Sequence, residues 1–517
     1  MKTKTKAIIV CCCAAFLYAC YEDKGHYDLV DYNKIEITTV SALTTTTAIH
    51  GDTLRVTPKI TWKYPERDTS SAAFEYRWEV SDELVSQERD LVYVPTRMGT
   101  LPCVLFVTER ATGVVTRWST SFTVNSPYNV GWVILSEQGG RSMLNFIRRD
   151  ERRDADNVRI YYWTDFVDLY ASMYPDDPLP ASASQVIAYP VDYYADEVIV
   201  ISGSGEDYVL DGMGLKKTFR LQDDFIGGQY PSGFIPKSFA RGGGADFVLG
   251  INGQVLWRKN AAPSQMFHTD PIMQIPIYFP GDSEIDYFVR MNIYASSFIF
   301  MYDKLHNRLV ACYTSFSSGN DIHGGKMEIL YSSPPGEFAD INDFGAYKLV
   351  YCGEHSDGRS FNNILKDPVS GKYLLQEFTV SASLFSMTVT QANQREFEAS
   401  NLVTDNSVFW RMRNSSYLYF GEGSDLYFYD FNTRVTKLYT RFGDARVTRL
   451  MQDIDGTRLG VALDNGEFYL FDAISATVLG SSDPGEAGFL HKVSGLGTIK
   501  DLTWKHGGYY NLVFNRY

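Results

Sequence analysis

The sequence predicts an all-β protein: an immunoglobulin-like β-sandwich near the N-terminus, followed by a larger β-propeller-like domain. Three observations predict it. Helical periodicity is nearly absent, and short alternating or apolar runs separated by Gly, Asp, Asn and Pro recur instead. Aromatic residues make up 15% of the chain, including 35 tyrosines, a residue type that suits half-buried pleated strands. Aromatic strands that close on aspartate, interleaved with Asn-Gly hairpins, recur about 42 residues apart, near the ~40–50-residue period of four-stranded blades. At 517 residues the chain exceeds one ordinary domain and suits one small plus one large.

The first element is a leader over residues 1–19. Lys2, Lys4 and Lys6 precede an apolar run from Ala7 to Ala19, shorter than the ~20 apolar residues a bilayer span requires. This is the positive n-region and apolar h-region of a secretion signal. It ends at Leu17-Tyr18-Ala19-Cys20, which resembles a lipoprotein processing box, although Tyr18 is bulkier than the usual residue there. Lipidation at Cys20 would place acyl chains on its thiol and new amine, and two or more chains anchor stably where one does not. A cleaved signal without lipid is the alternative. Residues 20–33, rich in acidic side chains, read as a tether outside the membrane.

Residues 34–125 form the sandwich. Ile35 to Val40 and Thr53 to Pro58 are strand candidates around the turn Gly51-Asp52. Phe74 to Val80 alternates strictly, with Phe74, Tyr76, Trp78 and Val80 on one face. Val104 to Glu109 turns at Ala111-Thr112-Gly113 into Trp118 to Val124. About ninety residues of short strands around one tryptophan describe an immunoglobulin-like sandwich, with Trp78 as its core plug and Cys103 as a buried thiol.

Several of these segments resemble a known family. Glu22-Asp23-Lys24-Gly25-His26-Tyr27-Asp28, the strand Tyr76-Arg77-Trp78 and the hairpin Val107-Thr108-Glu109 to Thr112-Gly113 look like the PKD-like lipoproteins of Bacteroidetes. The acidic stretch after Cys20 also resembles the export tag of surface lipoproteins in those bacteria. The resemblance implies a lipid-anchored outer-membrane protein exposed at the cell surface. It also implies an accessory component of a SusC/SusD-type transporter, binding glycan or peptide for uptake.

Residues 128–517 form the propeller-like domain after the turn-rich boundary Asn125 to Asn129. Leu249 to Trp257 carries the hairpin turn Asn252-Gly253, and Gly460 to Asp472 carries Asn465-Gly466, a pair suited to turns with positive φ. Strand endings at Asp303, Asp430 and Asp472 set the period, the first two being about three steps apart. The period predicts seven blades, with six or eight as alternatives and a stacked pair of sandwiches as a different solution. The insertion from Asp165 to Ala183 breaks the rhythm, and blades near Ser332 and Phe385 lack the ending. The terminal strands Gly497 to Trp504 and Tyr510 to Phe514 suggest closure of the last blade against Gly131 to Ser136.

Charge and motifs narrow the function. Three lysines leave with residues 1–19, so the net charge moves from −14 to −17, which argues against nucleic acid and anionic membrane surfaces. It is compatible with neutral glycans, peptides or a protein partner. Cys103, Cys312 and Cys352 alone remain in the folded body; this is no disulfide framework, though a Cys312–Cys352 bridge is open. Ser202-Gly203-Ser204-Gly205-Glu206 has the wrong spacing for a nucleophile elbow. Gly242-Gly243-Gly244 leads into a strand, not a phosphate-binding helix. None of the eight histidines, His26, His268 and His323 among them, sits in a zinc motif. No metal, cofactor or catalytic residue is assigned. Asp154-Ala155-Asp156-Asn157 is a poor calcium loop beside four arginines, and Asp453-Ile454-Asp455-Gly456 reads as a hairpin turn.

The aromatic stretch around the insertion is the candidate recognition surface: Tyr161, Tyr162, Trp163, Tyr170 and Tyr174, with Tyr193 and Tyr194 after it. Loops on rigid β scaffolds carry binding, and tyrosine offers a flat face with a polar tip. The alternative is that Tyr161 to Trp163 is a packed strand. Gln265 to His268 is a weaker candidate. Two other functions stay open: an extracellular glycan- or peptide-degrading hydrolase with paired carboxylates in the propeller cavity, and a structural scaffold of the transporter complex.

Overall fold

In the computed structural model, the structure describes residues 31–39, 48–154, 156, 158–190, 196–241, 245–259, 271–277, 279, 281–290, 298–313, 329–331, 338–355, 359–382, 387–413 and 415–507. It is an all-β protein with many sheets and a few short helices. The chain divides into two compact units, the first ending at Asn125 and the second beginning at Ser126.

The first unit is built on a five-stranded sheet. Its strands are Ala48–Ile49, Val115–Asn125, Gly99–Glu109, Phe74–Val80 and Glu83–Ser86, in that spatial order. Two strand pairs face it: Ile35–Thr39 with Pro58–Trp62, and Leu54–Val56 with Leu91–Tyr93. The alternation in Phe74–Val80 has its expected result, because successive side chains point to opposite faces. Phe74, Tyr76, Trp78 and Val80 are all buried. Trp78 lies opposite Leu105, which lies opposite Trp118, so three adjacent strands feed one core. The Trp78 indole N–H, which needs a partner when buried, donates to the Arg89 carbonyl at 3.2 Å. Cys103 is buried in the same core, and burial pushes its thiol pKa up to about 12.

The second unit holds seven sheets among the described residues, arranged in chain order. The first contains Val130–Gln138, Arg141–Arg153 and Arg159–Phe166, and the second runs from Gln185–Pro190 to Lys217–Arg220. The third spans Pro236–Arg241 to Val255–Lys259, and the fourth Ile285–Phe288 to Arg308–Tyr313. The fifth runs from Lys348–Glu354 to Met387–Glu396, with Ile329–Tyr331 added parallel at its edge. The sixth spans Val408–Arg411 to Val435–Arg441, and the seventh Val447–Gln452 to Phe489–Val493. Neighbours within each meander pair antiparallel, as short connections require.

Packing between sheets gives the unit its order. Strands that are apolar on both faces are sandwiched between neighbours, so each sheet contributes to two cores. Val133 and Leu135 of the first sheet meet Val198 and Val200 of the second. Ile199 and Ile201, on the opposite face of that strand, meet Phe239 and Val248 of the third. The same relation joins third to fourth, fourth to fifth, fifth to sixth and sixth to seventh. The cycle closes where Phe468 and Leu470 of the seventh sheet pack against Trp132, Ile134 and Trp504 of the first. Trp504 belongs to the last described strand, Thr498–His506, which pairs antiparallel with Val130–Gln138 and places Trp132 opposite Trp504. The predicted partnership between Gly131–Ser136 and the end of the domain is therefore present. Tyr510 to Phe514 lies outside the described residues.

Three details of the sequence reading are decided by the structure. The Cys312–Cys352 bridge, which the sequence leaves open, does not form; the two cysteines sit in different inter-sheet cores. Among the described residues the aspartate period is not one repeat, because Asp303 ends the second strand of its sheet while Asp430 and Asp472 end third strands. What the three share is turn chemistry: Asp303 accepts from the Leu305 amide, Asp430 from that of Asn432, and Asp472 from those of Ile474 and Ser475. Trp163 and its neighbours form a regular strand, and the irregular segment begins only after Phe166.

The hairpin glycine Gly466 illustrates why its residue type is needed. Its φ is +80°, and a Cβ there would lie 2.5 Å from the Gly497 carbonyl oxygen, just before the closing strand.

Candidate functional site

The candidate residues lie at the outer edge of the first sheet and in the segment that follows. The hairpin of Arg141–Arg153 and Arg159–Phe166 outruns its neighbour: Val130–Gln138 pairs no further than Arg148, whereas the hairpin continues to Arg153 opposite Arg159. Strand alternation then splits the aromatics between two faces.

Tyr161 and Trp163 face the seventh sheet. The Tyr161 ring is met by two guanidinium groups, Arg149 at 5.0 Å and Arg458 at 4.4 Å. Trp163 stacks on His491 at 6.5 Å and meets Trp504 edge-on at 6.4 Å. Carboxylates hold the cations in place: Arg149 pairs with Asp455 at 2.6 Å and Arg458 with Asp453 at 2.8 Å. His491 Nε2 lies 2.7 Å from the Asp165 carboxylate. These contacts join the ends of the unit across more than 300 residues of sequence. Asp453 also accepts from the Thr457 and Arg458 amides, which is the hairpin-turn role expected for that segment. Tyr162 points the other way and is 48% exposed.

Tyr170 and Tyr174 belong to a second place. The chain turns at Asp168, a non-glycine residue with φ of 49°. Its amide donates to Asn145 Oδ1, and Arg141 grips its carboxylate with two nitrogens, at 3.1 and 2.5 Å. That clamp holds a left-handed residue at the cost such residues carry and starts the helix Leu169–Met173. Leu169 and Tyr170 are buried in the core between first and second sheets. The Tyr170 and Tyr174 rings are 5.2 Å apart. Tyr174 donates its hydroxyl to the Gly214 carbonyl at 2.8 Å. Beside the rings is a cleft of about 240 Å³, walled by Tyr170, Ala171, Tyr174, Pro175, Pro178 and Leu179, with Arg141 and Ser142 at its rim. The Tyr170 hydroxyl is buried with no hydrogen-bond partner of good geometry. Burial first, and then the nearby Asp177 carboxylate, push its pKa above the ordinary tyrosine value, so it stays protonated.

Tyr193, Tyr194, Cys20 and Gln265 to His268 lie outside the described residues. Sequence reasoning missed Arg149, Arg458, His491 and Arg141. No local motif marks them; they meet the aromatics only through sheet pairing and cyclic packing. Asp154 spends one carboxylate oxygen on the Asp156 and Val158 amides, as a turn residue does. Other buried charges are tied to partners: Arg258 to Asp246 and Asp224, and Lys505 to Asp196.

Among the described residues no helix is long and apolar enough to cross a membrane. No protein of curated function matches the chain. The chain is similar in structure to a quinonprotein alcohol dehydrogenase-like protein from Bacteroides thetaiotaomicron, at 11% identity and a TM-score of 0.33, covering 92% of this chain and 97% of that one. It is also similar to the computationally designed Ika8 protein, at 9% identity and a TM-score of 0.36, covering 74% and 92% respectively. A family model, the PKD-like family, matches residues 20–173. That span runs past the first unit and takes in the projecting hairpin, the Asp168 clamp and the helix Leu169–Met173. Residues 20–173 are thus a PKD-like family domain.

Proposed function

We propose that this protein is a lipoprotein held at the outer face of a Bacteroidetes outer membrane by acyl chains on Cys20. In this reading its second unit is a seven-bladed β-propeller that serves a SusC/SusD-type uptake system as a non-enzymatic accessory binding component. The observation that carries the proposal is the order of its parts. A basic and apolar leader ends on Ala19-Cys20, an acidic tether follows, and a PKD-like domain begins at the same cysteine. Acyl chains supply the membrane affinity, so the folded body is free to be wholly polar outside and rigid within.

The seven sheets, the cyclic succession of cores and the pairing of the last strand with the first support the propeller reading. Each sheet buries both faces, which makes a stiff platform, and the segments between sheets carry recognition. The cargo is a neutral glycan or a peptide, in keeping with a net charge that disfavours polyanions. Purification from native membranes in mild detergent tests the proposal. A SusC/SusD-like pair should accompany the protein; recovery of the protein alone, at detergent concentrations that preserve such pairs, would reject it.

A further inference from the structure

We infer that the strand Arg159–Phe166 is a self-association edge, at which two copies of this protein pair antiparallel about a two-fold axis through Tyr162. The inference goes beyond the uptake proposal and does not rest on it.

Arg159–Phe166 is the outermost strand of the first sheet. Among the described residues no strand pairs with its outer edge, and no other backbone hydrogen bond leaves it. An exposed edge is a template for another strand unless charge, proline or a bulge blunts it. This strand contains no proline, and its pairing with Arg141–Arg153 runs without a register shift. Val158, Ile160 and Tyr162 are exposed large apolar side chains, and alternation puts them on one face.

The ladder decides which residues can meet a partner. The Asp154 amide donates to the Val158 carbonyl at 3.0 Å, so that pair is of the hydrogen-bonded kind. Hydrogen-bonded and non-hydrogen-bonded pairs alternate along an antiparallel ladder. Ile160, Tyr162 and Thr164 therefore direct their backbone groups at Arg141–Arg153, whereas Arg159, Tyr161, Trp163 and Asp165 direct theirs outward. These four are placed symmetrically about Tyr162. A second copy laid antiparallel in that register sets Arg159 against Asp165 and Tyr161 against Trp163, each pair exchanging backbone hydrogen bonds. Opposite charges then face each other at both ends, as an isologous contact requires. On the other face Val158 meets Phe166, Ile160 meets Thr164, and the two Tyr162 side chains meet across the axis. A slip of two residues in either direction loses the Arg159–Asp165 match. Within its own chain Arg159 reaches Glu151 only at 3.5 Å, and His491 engages Oδ1 of Asp165, which leaves Oδ2 for the second copy. The contact is one strand wide, at the small end of specific interfaces, so association in solution is weak.

Sedimentation velocity of the full mature chain carrying Cys20→Ser, across the micromolar range, tests this together with cysteine cross-linking. A reversible monomer–dimer equilibrium is expected. Arg159→Asp should weaken it at least about tenfold, because like charges then face each other. Combining Arg159→Asp with Asp165→Arg should restore most of the association, and circular dichroism checks that each variant keeps the fold. Tyr162→Cys places two thiols at the axis, where the Cα atoms of a non-hydrogen-bonded pair lie about 4.5 Å apart, within disulfide reach. Mild oxidation should join these chains covalently. The two copies of Ile160→Cys lie four residues apart along the strands, ~13 Å, and should stay unlinked. Cys103, Cys312 and Cys352 are buried and do not compete. A monomer at every concentration would mean that the edge is open to some other strand and would overturn the inference. Association indifferent to Arg159→Asp, or equal cross-linking by the two cysteine variants, would overturn it as well.

Discussion

Lys505 and Asp196 form an ion pair at 2.8 Å with both side chains almost fully buried. Lys505 also donates to the Asn129 carbonyl at 3.1 Å. Burial alone pushes the lysine pKa down and the aspartate pKa up, and their mutual attraction opposes both shifts. The pair joins the closing strand to the second sheet, so each partner is essential once the other is present. Lys505→Met should destabilise the second unit by about 3–5 kcal/mol, because it strands a buried carboxylate. The double variant with Asp196→Leu should recover most of that loss, as measured by chemical denaturation. Asp405 behaves differently. Lys366, Tyr373 and Lys348 bind its carboxylate at 2.9, 2.7 and 3.0 Å and hold its pKa well below the ordinary range. Its folded pKa is depressed, so its contribution is fully present above about pH 4, the unfolded value, and is lost as pH falls through the folded value. The stability difference between the native protein and Asp405→Asn should shrink steadily as denaturation is repeated from pH 6 down to pH 2. Neither group was legible in the sequence. The core role of Trp78 was, because strict alternation announces its face, whereas a lysine that is buried only through ring closure carries no local mark.

At the scale of elements, the closing strand matters most. Thr498–His506 pairs with Val130–Gln138, and Trp132, Trp504 and Phe468 pack together with ring centres 5.2–5.4 Å apart. Trp132 is fully buried. Trp132→Ala should cost about 3–5 kcal/mol, as large aromatic deletions in cores do, measured by urea denaturation. A chain ended at Leu496 should leave the first sheet without its closing strand and the seventh sheet without its packing partner Trp504, and yield a second unit that fast proteolysis degrades. Survival of a protease-resistant second unit in that variant would show that closure is dispensable. Much of this level was readable: alternating strands and Asn-Gly turns follow from periods of two and from turn chemistry, and the first-to-last pairing from strands at both ends of a domain expected to close. The repeat spacing was not a dependable guide. Asp303 performs the same turn chemistry as Asp430 and Asp472 from a different strand of its sheet, and turn chemistry recurs at any strand end. The projecting hairpin was legible as strands, but the contact of Arg458 with Tyr161 and Arg149 was not, since Arg458 comes from the opposite end of the unit.

At the scale of the whole molecule, the PKD-like match and the leader meet at one residue, Cys20. The family resemblance was legible from a short acidic tether and a few strand residues, and the family model extends it to residue 173. Of the residues that wall the cleft beside Tyr170, Arg141, Ser142, Tyr170 and Ala171 fall inside that span, and Tyr174, Pro175, Pro178 and Leu179 lie beyond it. What remained hidden is the grouping of the aromatics. Linear proximity suggested one surface, and strand alternation with the turn at Asp168 separates Tyr161 and Trp163 from Tyr170 and Tyr174. Anchoring by lipid predicts that Cys20→Ser moves the protein from the membrane fraction to the soluble fraction without altering its fold, as read by fractionation and circular dichroism. The most direct test is the mass of the N-terminal peptide of the protein extracted from native membranes. The expected peptide begins at Cys20 and carries a diacylglycerol thioether. A mature terminus at any other residue, or an unmodified Cys20, would contradict it.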